Sequence, residues 1–150
     1  MADRRPPTRE DTAVVGNRII AQVIDWIVIL AILLVFSFVG GIVGQVAPAS
    51  RGIVASLTGL LGILAMFGYT FLLEGYWDGK TLGKFLLNIK VVREDGSPCT
   101  PGASFVRNVP AFVWFTVFTY LVGFASMAAT DRRQRLFDRL AGTVVVADRP

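Results

Sequence analysis

The stretch from Asn17 to Leu30 reads NRIIAQVIDWIVIL, and no further charged side chain follows until Arg51. A helix needs about 20 apolar residues to cross a hydrocarbon core about 30 Å thick, so this run is long enough to span a membrane. Two charges interrupt its start. A carboxylate in the middle of such a helix costs about 2.5–3.5 kcal/mol on insertion scales. At 3.6 residues per turn Arg18, Gln22 and Asp25 share one helix face. Arg18 and Asp25 stand about 10 Å apart along the axis, too far for a direct contact. Arg18, near the helix entrance, can extend toward the headgroups. Asp25 is deeper and short, so it must face the protein interior and find a partner there.

The composition agrees with a membrane setting. The 150 residues suffice for one domain, 53% are hydrophobic, and the mean hydropathy is +0.58. Charged residues make up 17% and are segregated from the apolar runs. That pattern reads as an integral membrane protein. The net charge of +4 is assigned to cytoplasmic loops rather than to a nucleic-acid footprint, since no basic stripe is interleaved with aromatics. Cys99 is the single cysteine, which excludes an intrachain disulfide, and there is no histidine. The commonest general base and metal ligand are therefore missing. With no nucleophile–base pair or metal cluster, the expectation is a protein that is not an enzyme and holds no cofactor and no metal. The stretch EGYWDGKT falls short of a phosphate-binding loop: three residues, not four, separate Gly75 from Gly79, and no strand leads into it. No nucleotide is expected.

Three windows lack Asp, Glu, Lys and Arg: 26–50, 52–73 and 108–130. The first helix is expected from near Asn17 to near Gly44 and the second from about Ile53 to Leu73, joined by the turn QVAPASRG. Residues 1–15 are polar, read as a flexible tail and not as a signal peptide, and residues 16–150 form the membrane domain. In KTLGKFLLNIK, Leu82, Phe85, Leu86 and Ile89 recur at helical spacing opposite Lys80, Lys84 and Asn88, which predicts an amphipathic helix in the membrane surface. Lys80 and Lys84 would meet lipid headgroups. The runs at about 89–93 and 143–147 read as two short strands that could pair. The fold class is thus an all-α membrane protein with two transmembrane helices, a third apolar segment, a surface helix and a small β pairing.

Basic residues set the orientation. Arg4, Arg5 and Arg9 precede the first helix. Lys80, Lys84, Lys90, Arg93 and Arg107 lie between the second and third windows. Arg132, Arg133, Arg135, Arg139 and Arg149 follow the third. All three groups favour the cytoplasm, which makes this a multi-pass cell-membrane protein with its N-terminus on the cytoplasmic side. Two crossings plus a re-entrant third window, bending at Pro110 and Gly123, keep every group inside. The length of that window argues for a third span instead. Re-entry is the favoured reading, because the strand pairing also needs one side. Trp26, Tyr76, Trp77 and Trp114 are candidate interface anchors. Gly40 with Gly44, and Ser37 with Gly41, have the spacing of close helix approach within the chain or between copies.

Arg18 is expected to meet Asp138, in RLFDRL, at the cytoplasmic mouth. Asp25 is expected to meet Arg107, Arg139 or an internal polar group. Such a network either binds an ion or ligand or holds the fold as static salt bridges.

These residues resemble the RDD family of small membrane proteins, named for one arginine and two aspartates. Arg18, Asp25 and Asp138 match the three positions. The run LFDRLAGTVVV resembles the family's D-x-x-A-G-T-x-V-V pattern, and GKTLGKFLLNIKVVREDG and Arg107-Asn108 are also similar. The resemblance covers residues 15–147. Phe137 departs from it, since many members carry histidine before the aspartate. The resemblance implies a polytopic membrane domain without an established general activity. Ligand transport has been suggested for the family, some members look like sodium/proton antiporters, and others sit in larger membrane assemblies.

Two functions follow as expectations. One is a small transporter of a cation, proton or ligand, acting as an oligomer because so few helices cannot enclose a pathway. Asp25 would bind the cargo while Arg18 and Asp138 gate it. The other is a membrane scaffold or assembly factor with a structural charged trio. The expected partners are the lipid bilayer and a second copy or another membrane protein.

Overall fold

The computed structural model describes residues 6–113 and 117–148, and the side chains among them other than 110–113, 117–120 and 124. Arg4, Arg5, Trp114 and Arg149 lie outside the described residues, as does the Pro110 side chain. The chain is mostly helical. Two long helices, α1 (Val15–Val46) and α2 (Arg51–Tyr76), form a hairpin across a short 3-10 turn at Pro48–Ser50. At 1.5 Å per residue they are about 48 and 39 Å long, enough to cross a bilayer. They are two candidate membrane spans by length and composition. Both run slightly further at each end than the expected 17–44 and 53–73, and the second helix continues past Glu74, whose charge finds partners.

The hairpin closes through small residues. Gly40 lies against Thr58, Gly44 against Arg51, and Gly62 against Phe36. A β-carbon on Gly40 would overlap the Thr58 hydroxyl. The Gly40–Gly44 pair is thus used within the chain. Gly41, from the second pair, has open space beside it.

Beyond α2 the chain folds into a cap at one end of the hairpin. It comprises α3 (Leu82–Leu86), β1 (Ile89–Arg93), α6 (Leu136–Leu140) and β2 (Thr143–Ala147). β1 and β2 pair antiparallel, with Ile89 opposite Ala147 and Arg93 opposite Thr143. This is the pairing expected from the two valine-rich runs. The surface helix is shorter than its apolar spacing suggests. Asn88 takes a left-handed turn (φ 51°), and Ile89 leaves the helix for the sheet, where it is fully buried. Leu82, Phe85 and Leu86 stay exposed on α3. Gly79 also has positive φ, and its carbonyl accepts the Val91 N–H at 2.9 Å. A side chain there would overlap the Val91 backbone, so the bend into α3 requires glycine.

The small core joins Val14 and Ala21 to Ile89, Val91, Cys99 and Val145. Val14, read from composition as part of a mobile tail, therefore contributes to it. Pro7, Thr12 and Val14 are buried, and the Asp11 carbonyl accepts the Ala147 N–H at 3.1 Å.

The described residues of the third apolar window up to Ala128 lie in α4 (Pro101–Val113) and α5 (Val117–Ala128). α4 starts against Gly75 at the end of α2. Near the end of α5, the Ser126 hydroxyl donates to the Gln134 carbonyl at 2.9 Å, and the Gln134 amide donates to Glu94 and Thr143 of the cap.

Candidate functional site

The cap is joined to the hairpin by a chain of buried charges. Arg18, in the first turns of α1, donates from Nη2 to Asp138 Oδ2 at 2.6 Å and from Nη1 to the Arg133 carbonyl at 2.8 Å. Asp138 Oδ1 takes Arg107 Nη2 at 3.1 Å. Arg107 Nε faces Glu74 Oε2 at 3.5 Å, and Glu74 Oε1 is paired with Lys84 Nζ. The order is therefore cation, anion, cation, anion, cation, drawn from α1, α6, α4, α2 and α3. Charges buried this deeply persist only when paired and hydrogen-bonded. Glu74 also accepts from Asn108 Nδ2 at 3.0 Å and the Ser104 hydroxyl at 3.4 Å.

Local chain geometry explains the positions. Asp138 is the third residue of α6, and its Oδ2 accepts the Arg135 N–H at 3.0 Å, half of a capping box. Gly142 ends the helix with φ 60°, and the Thr143 hydroxyl donates back to the Asp138 carbonyl at 3.2 Å. The Asp–x–x–Ala–Gly–Thr run thus places a carboxylate, a left-handed turn and the first strand residue in one rigid unit. Burial raises the Asp138 carboxyl. The Arg107 and Arg18 guanidiniums outweigh that and hold it well below the ordinary carboxylate range.

Asp25 is handled differently. Its Oδ1 accepts the Tyr69 hydroxyl at 2.6 Å and the Gly83 N–H at 2.9 Å, and its Oδ2 accepts the Thr81 hydroxyl at 2.6 Å. The sequence alternatives of Arg107, Arg139 or an internal polar group resolve to the last. Thr81 is the N-cap of α3, and Gly83 is its second residue. Gly83 is pressed on α1, where a β-carbon would overlap the Ala21 carbonyl oxygen and come within 2.9 Å of Asp25 Oδ1. Lys84 Nζ also reaches the Thr81 hydroxyl at 3.4 Å, so Asp25 joins the ion chain through that residue. Arg18, Asp25 and Asp138 are thus members of one network, though only Arg18 and Asp138 touch.

Lys80 and Lys84 depart from the expected headgroup contacts. Lys84 is 12% exposed and is drawn onto Glu74, because a buried carboxylate needs a close cation more than an exposed lysine needs lipid. Lys80 pairs with Asp148 at 2.5 Å and with Asp78 at 3.5 Å. Arg139 is exposed, its side chain turned away from the network that Asp138 enters one residue earlier. Gln22 is half-buried on the expected face, but the hydrogen bonds of the network pass it by. Glu74 and Thr81 were not singled out from the sequence. The signal for Glu74 was present: it is the acid that ends the 52–73 window, with Lys84 ten residues later.

A membrane hairpin capped by a small sheet and locked by buried Arg and Asp residues defines a class of polytopic membrane domain. The RDD family model matches residues 12–142, and the chain belongs to the RDD family. It is 30% identical over 90 residues to the uncharacterized protein YckC of Bacillus subtilis (strain 168), covering 58% of this chain and 60% of that protein's length. No solved structure matches it.

Proposed function

We propose that the protein is a non-catalytic membrane scaffold whose charged network locks a cytoplasmic cap onto a two-helix hairpin. The observation that carries this reading is the coordination of Asp25. Its carboxylate is filled by three donors from α2 and the α3 segment, so it acts as a bolt between spans and cap. The cap then presents a fixed surface to a second copy or another membrane protein, and the exposed apolar sides of α1 and α2 face lipid.

In this reading the N-terminus and the cap are cytoplasmic and the 101–128 segment re-enters the membrane. Two features support it. The basic residues Lys80, Lys84, Lys90, Arg93 and Arg107 lie with Arg132, Arg133, Arg135 and Arg139 at the cap end, and Arg51 at the other. The segment starts against Gly75 and ends beside Gln134, so it leaves the cap and comes back to it. An Arg139→Cys variant labelled in intact cells by a membrane-impermeant thiol reagent tests this. Protection until the membrane is opened supports re-entry, and labelling from outside sinks it.

A second reading, transport of a cation or proton by an oligomer, is favoured by one observation: Tyr69 donates to the Asp25 carboxylate between the two membrane helices, where ionisable groups commonly mark pathways. Purified protein in liposomes under a sodium or pH gradient separates the two. Flux by the wild type that Asp25→Asn abolishes at normal protein level favours transport. No flux, with Asp25→Asn exposing the cap to protease, favours the scaffold.

A further inference from the structure

α3 and α6 repeat one local design. Each has five residues and an N-cap in extended backbone, Thr81 or Arg135. One residue separates each helix from a left-handed one, Asn88 (φ 51°) or Gly142 (φ 60°), and a five-residue strand begins at once. The strand register keeps the same correspondence. Ile89 pairs with Ala147, and Thr143, the counterpart of Ile89, pairs with Arg93, the counterpart of Ala147. The ladder thus has a local two-fold relation centred on the Val91–Val145 pair.

The third residue of each short helix is charged and held by the hairpin. Lys84 pairs with Glu74 near the end of α2, and Asp138 pairs with Arg18 near the start of α1. At 100° per residue the first and fifth positions then lie on the opposite side. In both helices those positions are leucine. Leu82, Leu86, Leu136 and Leu140 are all exposed.

Depth says what these leucines meet. On the cap side the three uncharged windows are bounded by Asp25, Glu74 and Arg107. α3 touches the first two: the Gly83 N–H donates to Asp25 Oδ1 at 2.9 Å, and Lys84 pairs with Glu74. α6 touches the third, through Asp138 Oδ1 and Arg107 Nη2 at 3.1 Å. Both helices therefore sit at the rim of the apolar segments. The α3 side also continues the exposed flank of α2. Leu72 and Tyr76 are exposed there, and Trp77 stacks on Phe85 with ring centroids 5.3 Å apart. Tryptophan and tyrosine settle at the membrane–water boundary.

We propose that α3 and α6 are a matched pair of interfacial helices, whose leucines, with Phe85 and Trp77, insert into the headgroup–acyl boundary of the leaflet on the cap side. The occupant is lipid, and neutral headgroups suffice, because the contact is apolar and Lys84 is committed to Glu74. The inference rests on α1 and α2 being membrane spans, and it holds whether the charged network scaffolds or transports.

The full-length protein in phosphatidylcholine nanodiscs tests it, with a nitroxide on Leu86→Cys, Leu140→Cys or Val35→Cys, one at a time. Wild type carried through the same labelling gives the Cys99 background. Val35, exposed in the middle of α1, is the hydrocarbon reference. At Leu86 and Leu140, collision with molecular oxygen exceeds collision with a water-soluble nickel chelate, at a depth of about 5–10 Å and shallower than Val35. Preference for nickel at either leucine places it in water and overturns the proposal. Exclusion of both reagents at either leucine means a protein partner covers it, which also overturns the proposal. Preference for nickel at Val35 as well removes the membrane reading of the hairpin itself. If a labelled variant does not fold, proton magnetisation transfer from lipid acyl chains to the Leu86 and Leu140 methyls of the wild type decides: transfer supports the proposal and its absence overturns it.

Discussion

Arg18 and Asp138, 120 residues apart in the chain, meet at 2.6 Å with both side chains at most 4% exposed. This contact ties the start of the first membrane helix to the last helix before the final strand. Removing one partner of a buried pair strands the other charge, which costs about 3–5 kcal/mol. Asp138→Asn is therefore expected to lower stability by that order and to loosen the C-terminal segment. Limited proteolysis in detergent, with the cleavage sites mapped by mass spectrometry, checks it; cuts confined to the N-terminus in the variant contradict it.

The same residue sets an acid limit. Its folded pKa lies below the unfolded value of about 3.9, so its stabilisation is fully present above that value. It is lost only as pH falls further, through the depressed folded pKa. Between pH 7 and 5 the Asp138 contribution should stay constant. The difference in Tm between wild type and Asp138→Asn, measured across that range, is expected to be flat; a difference that shrinks steadily from pH 7 contradicts the assignment.

Gly83 and Gly102 make a matched pair. Alanine at Gly83 must push α3 off the Ala21 carbonyl and the Asp25 carboxylate, at about 1–3 kcal/mol. Alanine at Gly102 meets open space on α4, so the change should stay within about 0.5 kcal/mol or stabilise slightly. Chemical or thermal unfolding of the two variants, side by side, reads the contrast.

Lys84 and Glu74 should behave as one unit. A double-mutant cycle with Lys84→Met and Glu74→Gln is expected to show coupling of about 0.5–3 kcal/mol. The coupling should be the same in neutral and anionic lipid, because Lys84 is committed to Glu74. Additive effects, or a dependence on lipid charge, would return Lys84 to the headgroups.

Cys99 is expected to be inert in the folded chain. Burial pushes its thiol up to about 11, and the residue is 5% exposed. Maleimide at pH 7 should label it slowly until the protein is denatured, a difference that stopped-time labelling and intact mass measure directly.

The parts of this protein that are legible in the sequence are those set by local pattern. An uncharged run of sufficient length demands a membrane helix, and valine-rich runs between turn residues demand strands. The two long helices and the 89–93 with 143–147 pairing follow from that. The cost of charge in hydrocarbon also made Arg18 and Asp25 conspicuous, and it required that Asp25 face inward. The Arg18–Asp138 pair was expected from the sequence and is found; the other pairings were decided by the tertiary structure. Electrostatic attraction does not depend on sequence distance, and eligible cations and anions outnumber the pairs. Only the packing of α2, α3 and α4 put Glu74 between Arg107 and Lys84 and gave Asp25 three neutral donors in place of an arginine. Likewise, apolar spacing could not show that Ile89 leaves its helix, because a buried strand and an amphipathic helix can share one short run. The sequence alone determined that these charges must be buried and compensated; the fold chose their partners, because only it fixes which side chains share a buried volume.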